Sequence, residues 1–319
     1  MKLGGPRVSV GMPVFNGERY LLEAAESILG QTYRDFELII SDNCSTDRTR
    51  DICESLAARD SRVRYYRNEQ NLGAAPNYNR VFALSSGEYF KWADYDDVIA
   101  PSFLDECVDV LDRDPDAVCC CPKVRFIDEN GSAIGDYDPA PDSSSPRPSV
   151  RFGNWILSHD HRLAQASGLM RAEHIRRTVM HGSYPCSDEV FMANMALLGR
   201  FAVVDERLLH IRLHAAQSFR GALGSERARV AFFDSSLSGR VVPVKWQYLR
   251  MCLVAIGTAG IGRGERLACY WHMLRWLCRR QNLRSVAKDA LLMVDSRVSV
   301  FPGLRRQALA ASEQGRDYR

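Results

Sequence analysis

Residues Glu88–Asp97 read EYFKWADYDD, a short strand-forming run followed by a turn with three carboxylates in four positions. Aromatic residues suit a pleated, buried surface, and an acidic turn directly after them ends the strand. The same unit recurs upstream. Arg7–Pro13 is a β-rich run closed by Pro13 and the Asn16-Gly17 turn. Phe36–Ser41 is apolar except for Glu37, as a strand covered on both faces should be, and Val63–Arg67 is a third strand. Helical spacing of Leu21, Leu22, Ala25, Ile28 and Leu29 predicts a helix over Glu18–Leu29. Two more helices are expected over Arg48–Arg59, capped by Ser45 or Thr46, and over Pro76–Ser85. Downstream, Pro101 and Ser102 open a helix to about Leu111, and Ala117–Val124 is a strand. Asp188–Leu198 then reads as a helix and Phe201–Val204 as a strand. This alternation predicts an α/β fold with a mostly parallel sheet flanked by helices. Ligands of such sheets bind beyond the carboxyl ends of the strands, which is where Asn16, Asp42 and Asp94–Asp97 fall.

Composition is that of an ordinary globular protein: 319 residues, 46% hydrophobic and 25% charged. Disorder, collagen-like repeats and a disulfide mini-scaffold are excluded, and the length suits one large or two ordinary domains. Apolar stretches such as Met251–Ile256 fall far short of the ~20 residues that cross a bilayer. No secretory leader is expected, since Met1–Arg7 runs straight into the first strand. Ten cysteines lack C-x-x-C or metal-ligand spacing, which predicts idle thiols in a reducing, cytoplasmic setting. Charge is divided unevenly. Of 42 Lys and Arg and 39 Asp and Glu, 15 and 5 lie after Gly239, leaving 27 and 34 before it. We therefore expect a body over residues 1–239 and a basic, mainly helical region over 240–319. Gly135–Ser149, rich in Pro, Ser and Asp, reads as an irregular surface loop.

Four groups of residues carry chemistry. Carboxylates crowded into Asp94–Asp97 repel one another unless a cation or a hydroxyl-rich ligand lies between them. A hard dication such as Mg²⁺ shares itself between such oxygens and substrate phosphates; the alternative is a solvated turn that caps the next helix. Asp42 can accept the imide or amide proton of a base, whereas Ser45–Asp47 reads more simply as a helix cap. Pro13, Val14, Phe15 and Asn16 form a turn whose apolar members can flank a planar base, or an ordinary strand-to-helix turn. Asp188 opens a helix, where the dipole alone favours a carboxylate, and His214 reads equally as a buried structural histidine.

In combination these stretches resemble the family 2 glycosyltransferases. The matching segments are PVFNG (Pro13–Gly17), SILGQTYRDFELIISDNCSTD (Ser27–Asp47), NLGAAPNYN (Asn71–Asn79), DYDD (Asp94–Asp97), SDEVF (Ser187–Phe191) and IRLH (Ile211–His214). They run in order from Val8 to about Arg220, about two-thirds of the chain. The resemblance implies a GT-A fold and transfer of one sugar, with inversion, from a nucleotide-diphosphate sugar such as a UDP-sugar to an acceptor hydroxyl. It implies that Pro13 and Phe15 flank the base with Val14 and Asn16 beside them, that Asp42 and Asn71 help hold the donor, and that Asp94 and Asp96 face the ribose and diphosphate. By the same resemblance Asp96, Asp97 and His214 hold Mg²⁺ or Mn²⁺, and Asp188 is the general base. Two departures stand out: Asn43 where the family often has a second acid, and Ser187 where a Glu usually precedes the catalytic Asp. A Q-x-x-R-W motif and spanning helices are missing, so a processive synthase is not expected.

The acceptor is expected to be a glycan, a lipid-linked sugar or a small molecule bearing a hydroxyl, and no nucleic-acid module is visible. Rival readings are a nucleotide-sugar-binding scaffold without catalysis and a sugar-phosphate nucleotidylyltransferase. The latter needs a basic Gly-rich loop after the first strand, and Pro13–Gly17 has none. Gly257–Gly262 resembles a dinucleotide loop only faintly and reads as a hinge between tail helices. Glu265–Arg280 places Leu267, Tyr270, Trp271, Leu274, Leu277 and Cys278 on one stripe ringed by arginines. We expect that stripe to pack on the catalytic domain or, in a homodimer, on a second subunit; the alternative is peripheral contact with the inner face of a membrane.

Overall fold

The computed structural model describes residues 4–138, 143–158, 164–215, 225–240 and 242–294. Strands β1 (Val8–Val14), β2 (Phe36–Asp42) and β3 (Val63–Arg67) alternate with helices α1 (Leu21–Leu29), α2 (Thr49–Arg59) and α3 (Ala74–Ala83), and β4 (Tyr89–Trp92) follows. All four strands are parallel, in the order β3-β2-β1-β4. The chain therefore steps outward from β1 and then returns to its other side. That reversal opens a crevice at the carboxyl ends of β1 and β4.

The sheet continues through β5 (Val98–Ile99), α4 (Phe103–Arg113), β6 (Ala117–Ile127), β7 (Ala133–Tyr137), α5 (Pro148–Leu157), β8 (Leu169–Arg171), α6 (Ala172–Ile175), α7 (Ser187–Leu198) and β9 (Arg200–Arg212). Here β8 lies antiparallel between β4 and β6, while β9 runs parallel to β6 and antiparallel to β5. The long β9 therefore brings Arg212 and the residues after it back beside the acidic turn that precedes β5.

Alternation along each strand divides the core between two faces. Val8, Val10, Met12, Leu38 and Ile40 pack with Ile28 of α1, Leu56 of α2 and Leu104 of α4. Ile39, Phe90 and Trp92 pack on the other side with Val81 of α3, Trp155 of α5 and Phe191 of α7. Gly11 belongs to that second face, where a Cβ would stand 2.6 Å from the Phe90 ring and 2.8 Å from Val81. Only glycine lets α3 lie this close to β1.

Helices α8 (Glu226–Phe233), α9 (Val244–Thr258), α10 (Arg263–Leu277) and α11 (Arg280–Val294) follow. The second core runs on into them through Tyr248, Ile256, Met273 and Trp276. Tyr248 stacks on Trp276 with ring centroids 5.0 Å apart. At Gly153 a Cβ would lie 2.7 Å from the His272 ring, so α5 and α10 meet across a missing side chain. Of the Gly257–Gly262 run, Gly257 and Thr258 end α9, and Ala259–Gly262 joins it to α10.

Three local expectations are corrected. The apolar stripe of α10 does not pack on the catalytic domain: Leu267, Tyr270, Trp271 and Leu274 are 69%, 38%, 58% and 47% exposed, Cys278 is exposed, and Leu277 is half-buried. Cys269, Met273 and Trp276 on the opposite side are buried instead. Large apolar residues lie on two opposite sides of this helix, so periodicity alone did not select the side that packs. Gly135–Tyr137 completes β7 and Pro148 opens α5, so the Gly135–Ser149 stretch is partly regular; its residues 139–142 lie outside the described residues. Arg48 precedes α2 without a side-chain cap, because Ser45 serves another loop. The tail beyond residue 294 also lies outside the described residues. Among these, no helix is long and apolar enough to cross a membrane. All ten cysteines are free thiols.

Candidate active site

The loops after β1 and β2 are laced together. Asn16, at φ 52°, donates its amide to Ser45 Oγ at 2.9 Å and accepts from the Thr46 amide at 2.9 Å. The Gly17 amide donates to Thr49 Oγ1, and the Glu18 amide to Asp47. Ser45, Asp47 and Thr49 therefore hold the β1 loop, and Asp47 also accepts from the amide of Thr49, the first residue of α2. Pro13 and Val14 are buried strand residues, whereas Phe15, Asn16 and Asn71 are exposed.

Asp42 is fully buried. Its carboxylate accepts from the Ser45 amide at 2.8 Å and the Tyr65 hydroxyl at 3.0 Å, with Arg67 Nε at 3.4 Å. Asn43 beside it donates from Nδ2 to Asn71 Oδ1 (2.9 Å) and the Gly73 carbonyl (3.1 Å). Its Oδ1 accepts from Asn68 Nδ2 and the Leu72 amide, both at 2.9 Å. A carboxylate cannot donate, so the amide that departs from the family pattern is required by its partners.

The acidic turn is sorted by three different partners. Asp94 accepts from the Tyr78 hydroxyl. Asp96 Oδ2 lies 2.9 Å from His214 Nε2, and both residues are buried. Asp97 Oδ1 accepts from the Arg212 amide at 2.9 Å. Arg212 is 1% exposed; its Nε donates to the Asp96 carbonyl and its Nη2 pairs with Glu23 at 2.7 Å. Its guanidinium sits 4.7 Å over the Tyr20 ring, which also lies 5.0 Å from the His214 ring.

Lys91 lies beneath the turn. It is 1% exposed, donates to the Trp92 carbonyl at 3.1 Å and to the Ser167 carbonyl, and shares a small cavity with Asp94 and Asp97. Burial pushes the Asp94 and Asp97 carboxyls up, with the Asp96 charge adding to the effect and Lys91 opposing it. The Lys91 ammonium is itself lowered by burial and raised by those two carboxylates. Asp188, in the first turn of α7, is near enough for its charge also to raise Asp94. Behind Tyr78, His181 stacks on Phe191 at 5.1 Å, and burial lowers it to about 4, so it is neutral.

The structure thus groups Asp94, Asp96, Asp97 and His214 at the acidic turn, with the Asp188 charge close enough to act on Asp94; Phe15, Asn16 and Asn71 are exposed on the loops after β1 and β3. Asp96 and His214 meet directly, an oxygen and a nitrogen donor 2.9 Å apart, while Oδ1 of Asp97 accepts from the Arg212 amide. Among the described residues no group of three or more His, Cys, Asp or Glu forms a metal cage. Two protein donors suffice for an Mg²⁺- or Mn²⁺-type ion that takes its other ligands from phosphates and water, so the pair fits such an ion. Lys91, Tyr78 and Arg212 were missed as functional residues in the sequence. The available signal was a lysine inside an otherwise apolar strand, which needs buried acceptors.

A profile of Glycosyl transferase family 2 matches residues 9–176. An uncharacterized glycosyltransferase, alr2836 from Nostoc sp., is 29% identical over 263 residues, covering 79% of this chain and 77% of the relative. The structure of S. aureus TarS 1-349 in complex with UDP-GlcNAc superposes with a TM-score of 0.63 at 18% identity, over 89% of this chain and 79% of that one. Of a longer TarS chain, this protein spans 44%. The mannosyltransferase PcManGT from Pyrobaculum calidifontis, in complex with GDP-Man and Mn²⁺, gives 0.52 at 16% identity, over 98% and 81% of the two chains. At such identities these two structures share the fold with this chain.

Proposed function

The chain belongs to glycosyl transferase family 2, and from that premise we propose that it moves one hexose from a nucleotide-diphosphate sugar to an acceptor hydroxyl, with inversion and without processive elongation. The observation that carries the reading is the meeting of Asp96 and His214 at the carboxyl ends of the sheet, with Asp188 near enough for its charge to act on Asp94. In this reading a donor enters over Phe15, Asn16 and Asn71, which are exposed. Asp42 acts by holding the adjoining loop. Asp96 and His214 would hold the dication, which when bound neutralises charge on the leaving diphosphate.

The acceptor oxygen attacks C1 from the face opposite the diphosphate. The C1–O bond to the donor breaks, its electron pair leaves with the nucleoside diphosphate, and the hydroxyl proton passes to Asp188. The helix dipole at the start of α7 favours a carboxylate at Asp188, the group that would receive that proton. Ten free thiols support a reducing, cytoplasmic setting.

A panel of UDP- and GDP-sugars, assayed for hydrolysis and transfer with and without Mn²⁺, tests the reading. Turnover that depends on Mn²⁺ and yields a product of inverted anomeric configuration is expected. Binding of nucleotide sugars without any turnover would leave a scaffold protein and overturn it.

A further inference from the structure

The C-terminal helices present a surface that the transfer reaction does not use. Among the described residues, nine of the fourteen large hydrophobic side chains that are exposed lie on α9, α10 and α11. On α10 they form a stripe, because Leu267, Tyr270, Trp271 and Leu274 recur at helical spacing on the side away from the buried Cys269, Met273 and Trp276. Arg263 stands one turn before the stripe, and Arg266 and Arg275 flank it on opposite edges.

Charge on this unit is of one sign. Between Val244 and Val294 there are nine Lys and Arg and two acids. Both acids are engaged toward the protein: Glu265 accepts from the Ser149 amide at 2.8 Å and pairs with Arg147, and buried Asp289 accepts from the Lys245 and Trp246 amides. The outward face is therefore apolar along its middle and cationic around it.

We propose that this face docks the protein on an anionic lipid surface, with Trp271 and Leu274 entering the headgroup–acyl boundary and the arginines meeting lipid phosphates. An interfacial helix needs both features together. A second copy of the chain satisfies only the apolar half, because a two-fold contact sets the same cationic patch against itself. A nucleic acid satisfies only the charged half and leaves the leucines in water. The inference goes beyond sugar transfer and stands or falls independently of it.

The full chain is to be co-sedimented with vesicles of phosphatidylglycerol and phosphatidylcholine, and with phosphatidylcholine alone. Preference for the anionic vesicles is expected at about 0.1 M salt and should collapse near about 1 M, where screening is strong. Trp271→Ser with Leu274→Ser, and separately Arg263→Gln with Arg275→Gln, should each weaken binding by about tenfold or more. An unchanged urea unfolding midpoint shows that the variants are folded. Equal sedimentation with both vesicle types, or none with either, overturns the proposal. So does a salt-resistant dimer, seen by light scattering, that Trp271→Ser abolishes, since the face then belongs to a second copy. Retention on heparin that the Trp271 and Leu274 changes leave intact, without vesicle binding, overturns it in favour of a plain polyanion site.

Discussion

Asp96 Oδ2 and His214 Nε2 lie 2.9 Å apart although 118 positions separate the two residues. Arg212 makes the contact possible: its amide holds Asp97, its Nε holds the Asp96 carbonyl, and it reaches across to Glu23. The acidic turn is thereby clamped to the end of β9, with one carboxylate aimed at the histidine and its neighbour at the backbone.

Asp96 and Asp97 should consequently differ in metal binding. Asp96→Asn and His214→Ala are each expected to weaken Mn²⁺ binding in the presence of UDP by at least about tenfold, the scale seen when a metal's surroundings are disturbed. Asp97→Asn, whose side-chain oxygen still accepts from Arg212, should weaken it less. Titration calorimetry decides; equal losses at 96 and 97 would place Asp97 among the ligands.

Asp188→Asn is expected to lower transfer by about 10²–10⁴-fold, the usual contribution of a general base. Donor affinity should stay near normal, because the lost group acts on the acceptor proton. Kinetics of transfer set beside donor binding by fluorescence check this, and a parallel loss of donor binding would make Asp188 a donor contact.

Lys91→Met should act in opposite directions on stability and on metal affinity. It strands the Trp92 and Ser167 carbonyls and removes the cation beneath Asp94 and Asp97. Leaving a buried acceptor without its donor costs about 1–3 kcal/mol, which urea unfolding of the metal-free protein would reveal. Mn²⁺ should bind more tightly to the variant, since a like charge near the site is gone. Weaker binding would show that Lys91 shapes the site rather than opposing the ion.

Glu37 supplies part of the acid sensitivity of the fold. Burial pushes its carboxyl up, but bonds from Ser9, Arg64 and Ser86 outweigh this and hold it below its ordinary value. A carboxyl lowered on folding contributes stability above its unfolded value, lost as pH falls through the folded one. Stability should therefore drop as pH falls below about 4.5, the ordinary value. Glu37→Gln should be less stable at pH 7 and show a flatter acid limb. Urea midpoints at a series of pH values check it; parallel curves for both proteins would remove Glu37 from the account.

Much of the catalytic half was legible in the residue order. Val63–Arg67 is a strand with the expected bounds, and β1, β2 and β4 begin and end within two residues of the expected positions. Such elements announce themselves because period-2 and helical patterns act between residues near in sequence. The placing of Asp42, Asp94, Asp96 and Asp188 at strand or helix ends was legible for the same reason. Asn43 was legible as a departure, though not its cause, since Asn68, Asn71 and Gly73 become its partners only after β2 and β3 pair.

The sequence by itself thus determined the α/β alternation, the acidic turn at a strand end and the apolar and basic character of the tail, all of which are local. Tertiary structure alone decided which carboxylate of DYDD meets His214, which accepts from the Arg212 amide, and that Lys91 lies buried beneath them. It alone turned Met273 and Trp276 of α10 inward and left Trp271 and Leu274 in solvent. In each case neighbouring residues of similar chemistry compete for one partner. The winner is set by packing and hydrogen bonding with segments up to 118 positions away, which no local pattern encodes.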